Sequence, residues 1–233
     1  MRHQYNTTYR QGFSLIELIV IIAVISLLAS LLYPAFLTAR GQARQVSCSS
    51  NLRQIGLGLT TYIQDFDGYY PYATTIADRI YPGGWKPRFP QYSEDIPYIP
   101  QFHEVLQPYL HSPQLFACPA DIGTSVDEAA KVPLDAFPSS YEKYRTSYFY
   151  LSLLAACRFH EARPPTSSTS LMTVTDHAGH WHGTLLPLQK RYNVLFADGH
   201  VKNLTSAQFE AHKGTPINEL PANASGCEIR PES

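Results

Sequence analysis

The feature that most constrains this chain is an uninterrupted apolar segment near its N-terminus. Between Glu17 and Arg40 stand 22 consecutive residues without a formal charge. About 20 apolar residues in a helix span the hydrocarbon core of a bilayer. A helix that is apolar on every face over this length is rarely the core helix of a water-soluble domain. The segment therefore predicts a membrane-inserted helix.

Two observations argue against an ordinary signal peptide. The apolar run exceeds the usual h-region of about 7–15 residues, and no clear small-x-small cleavage site closes it. In addition, Glu17 lies inside the start of the run, where a carboxylate is costly in lipid and indicates a functional role. Its side chain could reach the headgroups near the interface, or a partner could neutralise it within an assembly of helices.

The residues around Glu17 resemble a known processing signal. The run Gly12-Phe13-Ser14-Leu15-Ile16-Glu17 follows a short leader containing Arg2 and Arg10. This pattern resembles the type III signal of type IV prepilins and type II secretion pseudopilins. The resemblance implies that a prepilin peptidase cleaves between Gly12 and Phe13 and that Phe13 becomes N-methylated. It also implies that Glu17 guides assembly, and Pro34 matches the helix-kinking proline common in pilins.

The same resemblance implies the partners and the location of the chain. The α-amino group of Phe13 on one subunit would neutralise Glu17 of its neighbour, and such a pair costs far less than a lone buried charge. The implied partners are identical or homologous pilin subunits, the prepilin peptidase, an inner-membrane assembly platform, and membrane lipid before assembly. The implied location is the bacterial inner membrane, as a single-pass protein with a cytoplasmic N-terminus and a periplasmic head, and then a periplasmic or cell-surface filament.

The distribution of basic residues does not set this orientation independently. Two arginines precede the apolar run and three follow it closely (Arg2 and Arg10, then Arg40, Arg44 and Arg53). The positive-inside rule needs a clearer excess on one side. The expected orientation therefore follows from the processing signal.

The hydropathy pattern changes after residue 39. Apolar residues then recur at spacings of three and four, which predicts an amphipathic helix; they are Leu52, Ile55, Leu59, Ile63 and Phe66, with Cys48 on the same face. Gly68 and Pro71 are expected to end this helix. We divide the chain into a leader (1–12), a transmembrane or filament-core helix half (13–39), an amphipathic helix half (40–66) and a globular head (67–233).

The head resembles a narrower group of prepilin-type proteins, those with a His-x9-Asp-Gly C-terminal domain (DUF1559-like). The similar segments are 48–57, 62–71, 116–121 and 193–201. One departure is that Leu188, not histidine, stands ten residues before Asp198; the nearest preceding histidine is His182. We expect a pilin-like α+β fold in which the long N-terminal helix packs on a small antiparallel sheet with long loops.

Several local elements of the head are predicted from pattern alone. Residues 147–154 and 171–175 are typical of strands, and residues 191–197 and 200–204 of a hairpin. Asp198-Gly199 between the hairpin strands suits a type I′ turn, which we favour over a catalytic role. Ser206 is expected to cap a short helix over 207–213 that Gly214 ends.

The four cysteines are expected to be oxidised in an exported domain. Four cysteines allow three pairings, of which we favour Cys48–Cys118 with Cys157–Cys227; free buried thiols are the alternative. The first bridge would close a loop of about 70 residues and stabilise the fold by about 4 kcal/mol. Because the spacings contain no Cys-x-x-Cys, they do not predict a thiolate zinc cluster.

A polar cluster near the C-terminus is the candidate metal site. It contains six possible ligands, Asp176, His177, His180, His182, Asp198 and His200, of which all but His177 form the candidate set. Alternate residues of a strand share a face, so His180 and His182 could point together. This set would suit calcium or a transition metal, whereas the alternative is a loop of hydrogen-bonded or exposed histidines. No cofactor is required by the sequence.

Charge and motif content limit the possible functions. The 18 Lys and Arg residues against 19 Asp and Glu give a net charge of −1, which excludes bulk electrostatic capture of nucleic acid. The sequence contains no Gly-x-Ser-x-Gly, His-Glu-x-x-His or phosphate-binding glycine loop. We therefore expect a non-enzymatic structural subunit of a type IV pilus-like or type II secretion pseudopilus filament. The alternative is a membrane-tethered extracytoplasmic binding domain or metal-dependent hydrolase.

Overall fold

The computed structural model of the protein describes residues 13–82, 90–156, 169–183 and 189–218. The chain divides into two compact units, Met1–Gln42 and Ala43–Ser233. Helix α1 (Leu15–Asp65) contributes to both units, and Pro34 lies inside it. Among the described residues, the first unit consists of the start of this helix and the two residues before it.

The second unit contains the amphipathic end of α1 and all other described elements. Its shorter helices are α2 (Ile76–Ile80), α3 (Pro90–Asp95), α4 (Phe102–Leu106), α5 (Ser140–Tyr144), α6 (Leu153–Ala156) and α7 (Ser206–Asn218). Its strands are β1 (Val126–Asp127), β2 (Val132–Pro133), β3 (Tyr148–Tyr150), β4 (Met172–Asp176), β5 (Arg191–Phe196) and β6 (Val201–Thr205). Single turns of 3-10 helix occur at Gln107–Tyr109, Pro113–Phe116 and Gly179–Trp181.

The centre of this unit is an antiparallel sheet in the order β3-β4-β5-β6. Side chains of a strand alternate between the two faces of a sheet. Accordingly, Leu195 of β5 belongs to the same core cluster as the buried face of α1. Val194 and Phe196 instead pack in the cluster that contains Phe209 of α7. The sheet thus has the second half of α1 on one face and α7 on the other, which confirms the predicted α+β class.

The buried face of α1 agrees with the helical spacing in the sequence. Five of the six predicted residues are buried: Cys48, Leu52, Ile55, Leu59 and Ile63. Phe66 is exposed because the helix ends at Asp65. The end is made by Asp67 in the left-handed region (φ 52°) and by Gly68, whose N–H donates to the Ile63 carbonyl at 2.8 Å. This is the hydrogen bond of a Schellman C-cap.

The predictions for two elements of the head were partly wrong. The strand expected over 147–154 is confined to β3, because Ser152 N–H donates to the Tyr150 carbonyl at 2.8 Å and turns the chain into α6. Helix α7 is capped by Thr205 rather than Ser206: Thr205 and Gln208 exchange hydrogen bonds through Oγ1 and Oε1, which is a capping box. The helix also continues through Gly214 instead of ending there.

The β5–β6 hairpin was predicted correctly, but its turn type was not. A type I′ turn needs positive φ at both central residues. Only Gly199 has it (φ 87°), and Asp198 does not. The connection matches the alternative in which glycine takes the left-handed position of a longer hairpin loop.

Candidate functional site

The N-terminal part of α1 is an apolar helix surface with no protein packed against it among the described residues. Every residue over 13–43 is exposed, including large side chains such as Phe13 (79%) and Leu15 (75%). An 18-residue window of this helix has a mean hydropathy of 2.9, and none of it is buried. The helix is long and apolar enough to cross a membrane, in agreement with membrane anchoring of the chain.

Glu17 is fixed at the start of this helix by Ser14. The Ser14 N–H donates to Glu17 Oε2 at 2.8 Å, and the Glu17 N–H donates to Ser14 Oγ at 3.2 Å. This reciprocal pair is a capping box, which satisfies two helix N-terminal donors. Ser14 was missed as a site residue, although the spacing Ser-x-x-Glu is its sequence signal. Phe13 precedes the cap, and Gly12 and the rest of the leader lie outside the described residues.

The second feature is a disulfide that links α1 to the head. Cys48 is buried in α1, and Cys118 follows the 3-10 turn Pro113–Phe116; their Cα atoms are 4.9 Å apart. The bridge is supported by local hydrogen bonds: Asn51 Nδ2 donates to the Ala117 carbonyl at 2.8 Å, and the Tyr148 hydroxyl donates to the Cys48 carbonyl at 3.3 Å. This is the pairing that we favoured. Cys157 and Cys227 lie outside the described residues.

Two of the five predicted metal ligands lie beside this disulfide. His182 follows the 3-10 turn Gly179–Trp181, and Asp176 is the last residue of β4. His182 Nε2 lies 3.5 Å from Cys118 Sγ and 3.3 Å from Asp176 Oδ2. The side chains of His182 and Asp176 are both fully buried. We refer to Cys48, Cys118, His182 and Asp176 as the disulfide cluster.

The other three predicted ligands lie elsewhere, so the expectation of one five-residue site was wrong. His180 Nε2 is 3.3 Å from the Gly123 carbonyl, and its Nδ1 is 3.8 Å from Glu128 Oε1. Asp198 and His200 form a hydrogen bond at the β5–β6 turn, where His200 Nδ1 lies 2.6 Å from Asp198 Oδ1. Because β4 and β5 are antiparallel, this turn lies at the opposite end of the strand pair from Asp176. The antiparallel direction of β4 and β5 therefore places Asp176 and the pair Asp198 and His200 at opposite ends of the two strands.

Two further polar groups lie in the head: His177, which belongs to the polar cluster but not to the candidate ligand set, and the half-buried Glu128, which was missed. His177 Nδ1 lies 2.7 Å from Asp127 Oδ2, and both side chains are fully buried. Glu128 receives hydrogen bonds from Lys190 Nζ at 2.7 Å and from the Tyr192 hydroxyl. Burial raises the pKa of Glu128, but the hydrogen bonds from His180, Lys190 and Tyr192 outweigh it and hold the pKa at about 2. The partners are about 50 or more residues apart, so no local pattern indicates them.

These observations define the class of protein: a pilin-like precursor with an exposed apolar N-terminal helix and an α+β head. A family model described as "Prokaryotic N-terminal methylation motif" matches residues 7–33. A second, described as "Protein of unknown function (DUF1559)", matches residues 38–156, just over half of the chain. The chain therefore belongs to the DUF1559 family. No curated protein and no solved structure matched it.

Proposed function

We propose that the chain is a structural, non-enzymatic subunit of a type IV pilus-like or type II secretion pseudopilus filament. In this proposal a prepilin peptidase cleaves it between Gly12 and Phe13, and the first half of α1 then forms the filament core. The observation that carries the proposal is the exposure of the whole segment 13–43. A chain that leaves a contiguous apolar surface of this size unpacked needs lipid or other helices to cover it.

The proposal assigns two successive environments to this surface. Before assembly, the segment 13–39 spans the inner membrane, with the N-terminus on the cytoplasmic side and the head in the periplasm. After cleavage, the inner-membrane assembly platform brings subunits together. The same segment then packs against the homologous helices of neighbouring subunits. The two environments are both apolar, so the transfer requires no change in the head. The methylation motif over residues 7–33 supports this order of events.

Glu17 is the group that would distinguish lipid from filament. Inside the monomer its carboxylate accepts a hydrogen bond only from the Ser14 N–H among the contacts of the described residues. No cationic side chain of the described residues pairs with its negative charge. Cleavage would create a positive α-amino group at Phe13, and a neighbouring subunit could bring that group to Glu17. A lone charge in lipid is expensive, whereas a paired one is much less so.

The division of the candidate metal ligands supports the subunit proposal over a metal-dependent hydrolase. The predicted set lies in three separate places, and His180, Asp198 and His200 each have a partner within the chain. A hydrolytic metal site needs several ligands around one ion and an open position for water. A subunit needs only a stable head, which the disulfide and the sheet provide.

Mass spectrometry of the N-terminal peptide from the native membrane or filament fraction tests processing. We expect a chain that starts at N-methylated Phe13. Gly12→Ala should accumulate as an uncut precursor in the inner membrane. An intact Met1 in the filament fraction, or efficient cleavage of the Gly12→Ala variant, would contradict the proposal.

A matched set of variants tests the role of the Glu17 charge. Glu17→Gln removes the charge but retains an oxygen for the cap, and Glu17→Val removes both. Ser14→Ala removes one cap hydrogen bond and retains the charge. We expect normal processing in all three, at least about tenfold less incorporation into filaments for both Glu17 variants, and near-normal incorporation for Ser14→Ala. Normal filament yield from Glu17→Gln would rule out the neutralising pair.

A further inference from the structure

We propose that the disulfide cluster is a redox-gated metal site. With the bridge reduced, Cys48, Cys118, His182 and Asp176 would bind a thiophilic divalent ion such as Zn²⁺ in a closed tetrahedral set. The disulfide and the ion are then alternative ways of fastening α1 to the head. This site differs from the five-residue set expected from the sequence and is independent of the proposed filament role.

The distances in the cluster already resemble those around a bound ion. The two Sγ atoms and His182 Nε2 lie within 4.8 Å of one another. Tetrahedral zinc has bonds of about 2.3 Å to sulfur and about 2.0–2.1 Å to nitrogen or oxygen. These bond lengths place a sulfur ligand about 3.5 Å from a nitrogen ligand, and a nitrogen ligand about 3.3 Å from an oxygen ligand. His182 Nε2 lies 3.5 Å from Cys118 Sγ and 3.3 Å from Asp176 Oδ2. Two of the six edges of the tetrahedron are therefore in place.

The four remaining edges all involve a cysteine sulfur and require rearrangement, since the ligand atoms already close to one another are those of Cys48, Cys118 and His182, without Asp176. In a zinc site two thiolate sulfurs are about 3.7 Å apart, whereas they are covalently bonded in the disulfide. Reduction removes that bond, and adjustment of the two cysteine side chains about their Cα–Cβ bonds can supply the difference. The backbone around them is held by the bonds of Asn51 to the Ala117 carbonyl and of Cys118 N–H to Ser147 Oγ at 3.1 Å.

The surroundings favour a cation at this point. Asp176 is fully buried, and its Oδ1 has no hydrogen-bond partner among the residues that the structure describes. Its Oδ2 accepts from the Asn193 N–H at 2.6 Å, which orients the carboxylate as an outer contact orients a metal ligand. Burying a carboxylate is costly, and an ion bound at Oδ2 would offset part of the cost of its charge.

The charge of the cluster is the same in the two states. The disulfide itself is neutral. With zinc bound, the two negative charges of the thiolates oppose the two positive charges of the ion, so the exchange adds no net charge. The interior therefore does not have to accommodate additional net charge, which is the main obstacle to burying ions.

The conversion requires a reductant, which we take to be a dithiol. The dithiol transfers two electrons and two protons to the bridge, becomes a cyclic disulfide, and leaves Cys48 and Cys118 as thiols. Binding of Zn²⁺ then displaces one proton from each thiol, because the metal ligand is the thiolate. Two protons are released for each ion bound. In the reverse step a disulfide accepts two electrons from the thiolates and two protons from water, becomes a dithiol, restores the bridge and expels the ion.

The test uses the full-length protein in detergent micelles with Cys157→Ser and Cys227→Ser, so that one cysteine pair remains. After reduction with a phosphine under anaerobic conditions, the protein is titrated with Zn²⁺ and, for its visible spectrum, with Co²⁺. We expect one ion per chain, release of two protons, thiolate-to-cobalt charge-transfer absorption and the d–d bands of a four-coordinate ion. The oxidised protein should bind at least about tenfold more weakly.

Substitutions at the imidazole and carboxylate identify the site. His182→Gln and Asp176→Asn should each weaken zinc binding by at least about tenfold, since even loss of an outer contact to a ligand costs about 10–100-fold. His180→Gln is the matched control, because His180 lies nearby in sequence but contacts Gly123 and Glu128. It should bind zinc within about twofold of the parent.

The near-ultraviolet circular dichroism of the tyrosine-rich head monitors folding throughout. The double variant Cys48→Ser/Cys118→Ser lacks the bridge and both thiolates, so zinc should not stabilise it. The proposal is overturned if the folded reduced protein binds no zinc or if His182→Gln keeps the cobalt spectrum. It is also overturned if the reduced protein unfolds and zinc does not restore its dichroism, or if zinc stabilises the double variant equally.

Discussion

Among single residues, Glu128 shows how a half-buried carboxylate is kept ionised in the head. It accepts hydrogen bonds from Lys190 Nζ, from the Tyr192 hydroxyl and from the Gly179 N–H. Burial raises its pKa, but these bonds and the one from His180 lower it to about 2, from an ordinary value of 4.5. A carboxyl whose pKa falls on folding adds stability above its unfolded pKa, and this contribution disappears as the pH falls towards the folded pKa.

Glu128→Gln should therefore destabilise the head at neutral pH and lose its effect in acid. Allowing for partial solvent screening, we expect a loss of about 1–2 kcal/mol in the free energy of unfolding at pH 7. The gap between variant and parent should narrow as the pH falls from about 4.5 to about 2. Urea unfolding across this pH range measures the difference between variant and parent. Glu142→Gln, a change at an exposed residue, is the control. A gap that is constant with pH would contradict the assigned cause.

A contact between two residues could be predicted from the sequence only where few residues separate the two partners along the chain. Ser14 and Glu17 are three residues apart, so their capping box is a local pattern that can be read directly. Asp127 and His177 are 50 residues apart, and His182 and Cys118 are 64 apart. Those contacts exist only because the sheet and its loops bring distant segments together, and no spacing rule encodes them.

Among the elements, the second half of α1 combines weak helix formers with close packing. Gly56 and Gly58 each lower helix propensity by about 1 kcal/mol relative to alanine. The structure gives a reason for them: a Cβ at Gly58 would lie 2.8 Å from Leu110 Cδ2 and 3.2 Å from its Cγ, and a Cβ at Gly56 would lie 2.8 Å from Leu195 Cδ1. The missing side chains let the helix approach the rest of the head.

Gly58→Ala should destabilise the protein although alanine favours helix. Overpacking a tight core costs about 1–3 kcal/mol, and the gain in propensity of about 1 kcal/mol offsets only part of it. We expect a net loss of about 1 kcal/mol by thermal or urea unfolding in micelles. Gly41→Ala is the matched control in the same helix, since a Cβ there meets nothing within 4 Å. Gly41→Ala should raise helicity or leave it unchanged; equal losses from both variants would contradict the packing argument.

Elements with a regular hydropathy period or a clear turn signal were predictable from the sequence, and those held by isolated long-range bonds were not. The helical period of α1 indicated its buried face, and the Asp198-Gly199 turn signal indicated the β5–β6 hairpin. In the region between them, Thr74 N–H donates to the Pro100 carbonyl at 3.0 Å, and Asp121 accepts from Ser140 and Tyr141 N–H groups at 3.1 Å. Such bonds shape short turns and helices without leaving a periodic signal.

At the scale of the whole molecule, the two units require different environments. Every residue over 13–43 is exposed and the segment is predominantly apolar, whereas the buried apolar residues of the described chain begin at Cys48. The described core of the second unit is thus built from that unit's own residues. The head should be able to fold by itself, and the properties that depend on lipid or on assembly should reside in the N-terminal segment.

A fragment that begins at Ala43 tests this division and the non-enzymatic proposal together. It keeps the buried face of α1, the Cys48–Cys118 bridge and the sheet. We expect it to be soluble and monomeric without detergent, to keep the near-ultraviolet dichroism of the full chain, and to stay out of filaments. It should show no metal-dependent hydrolysis of ester, phosphoester or peptide substrates, and the full-length protein in micelles serves as the control for the same assays. Aggregation or loss of dichroism would mean that the head needs the first unit, whereas turnover abolished by a chelator would favour a membrane-tethered hydrolase.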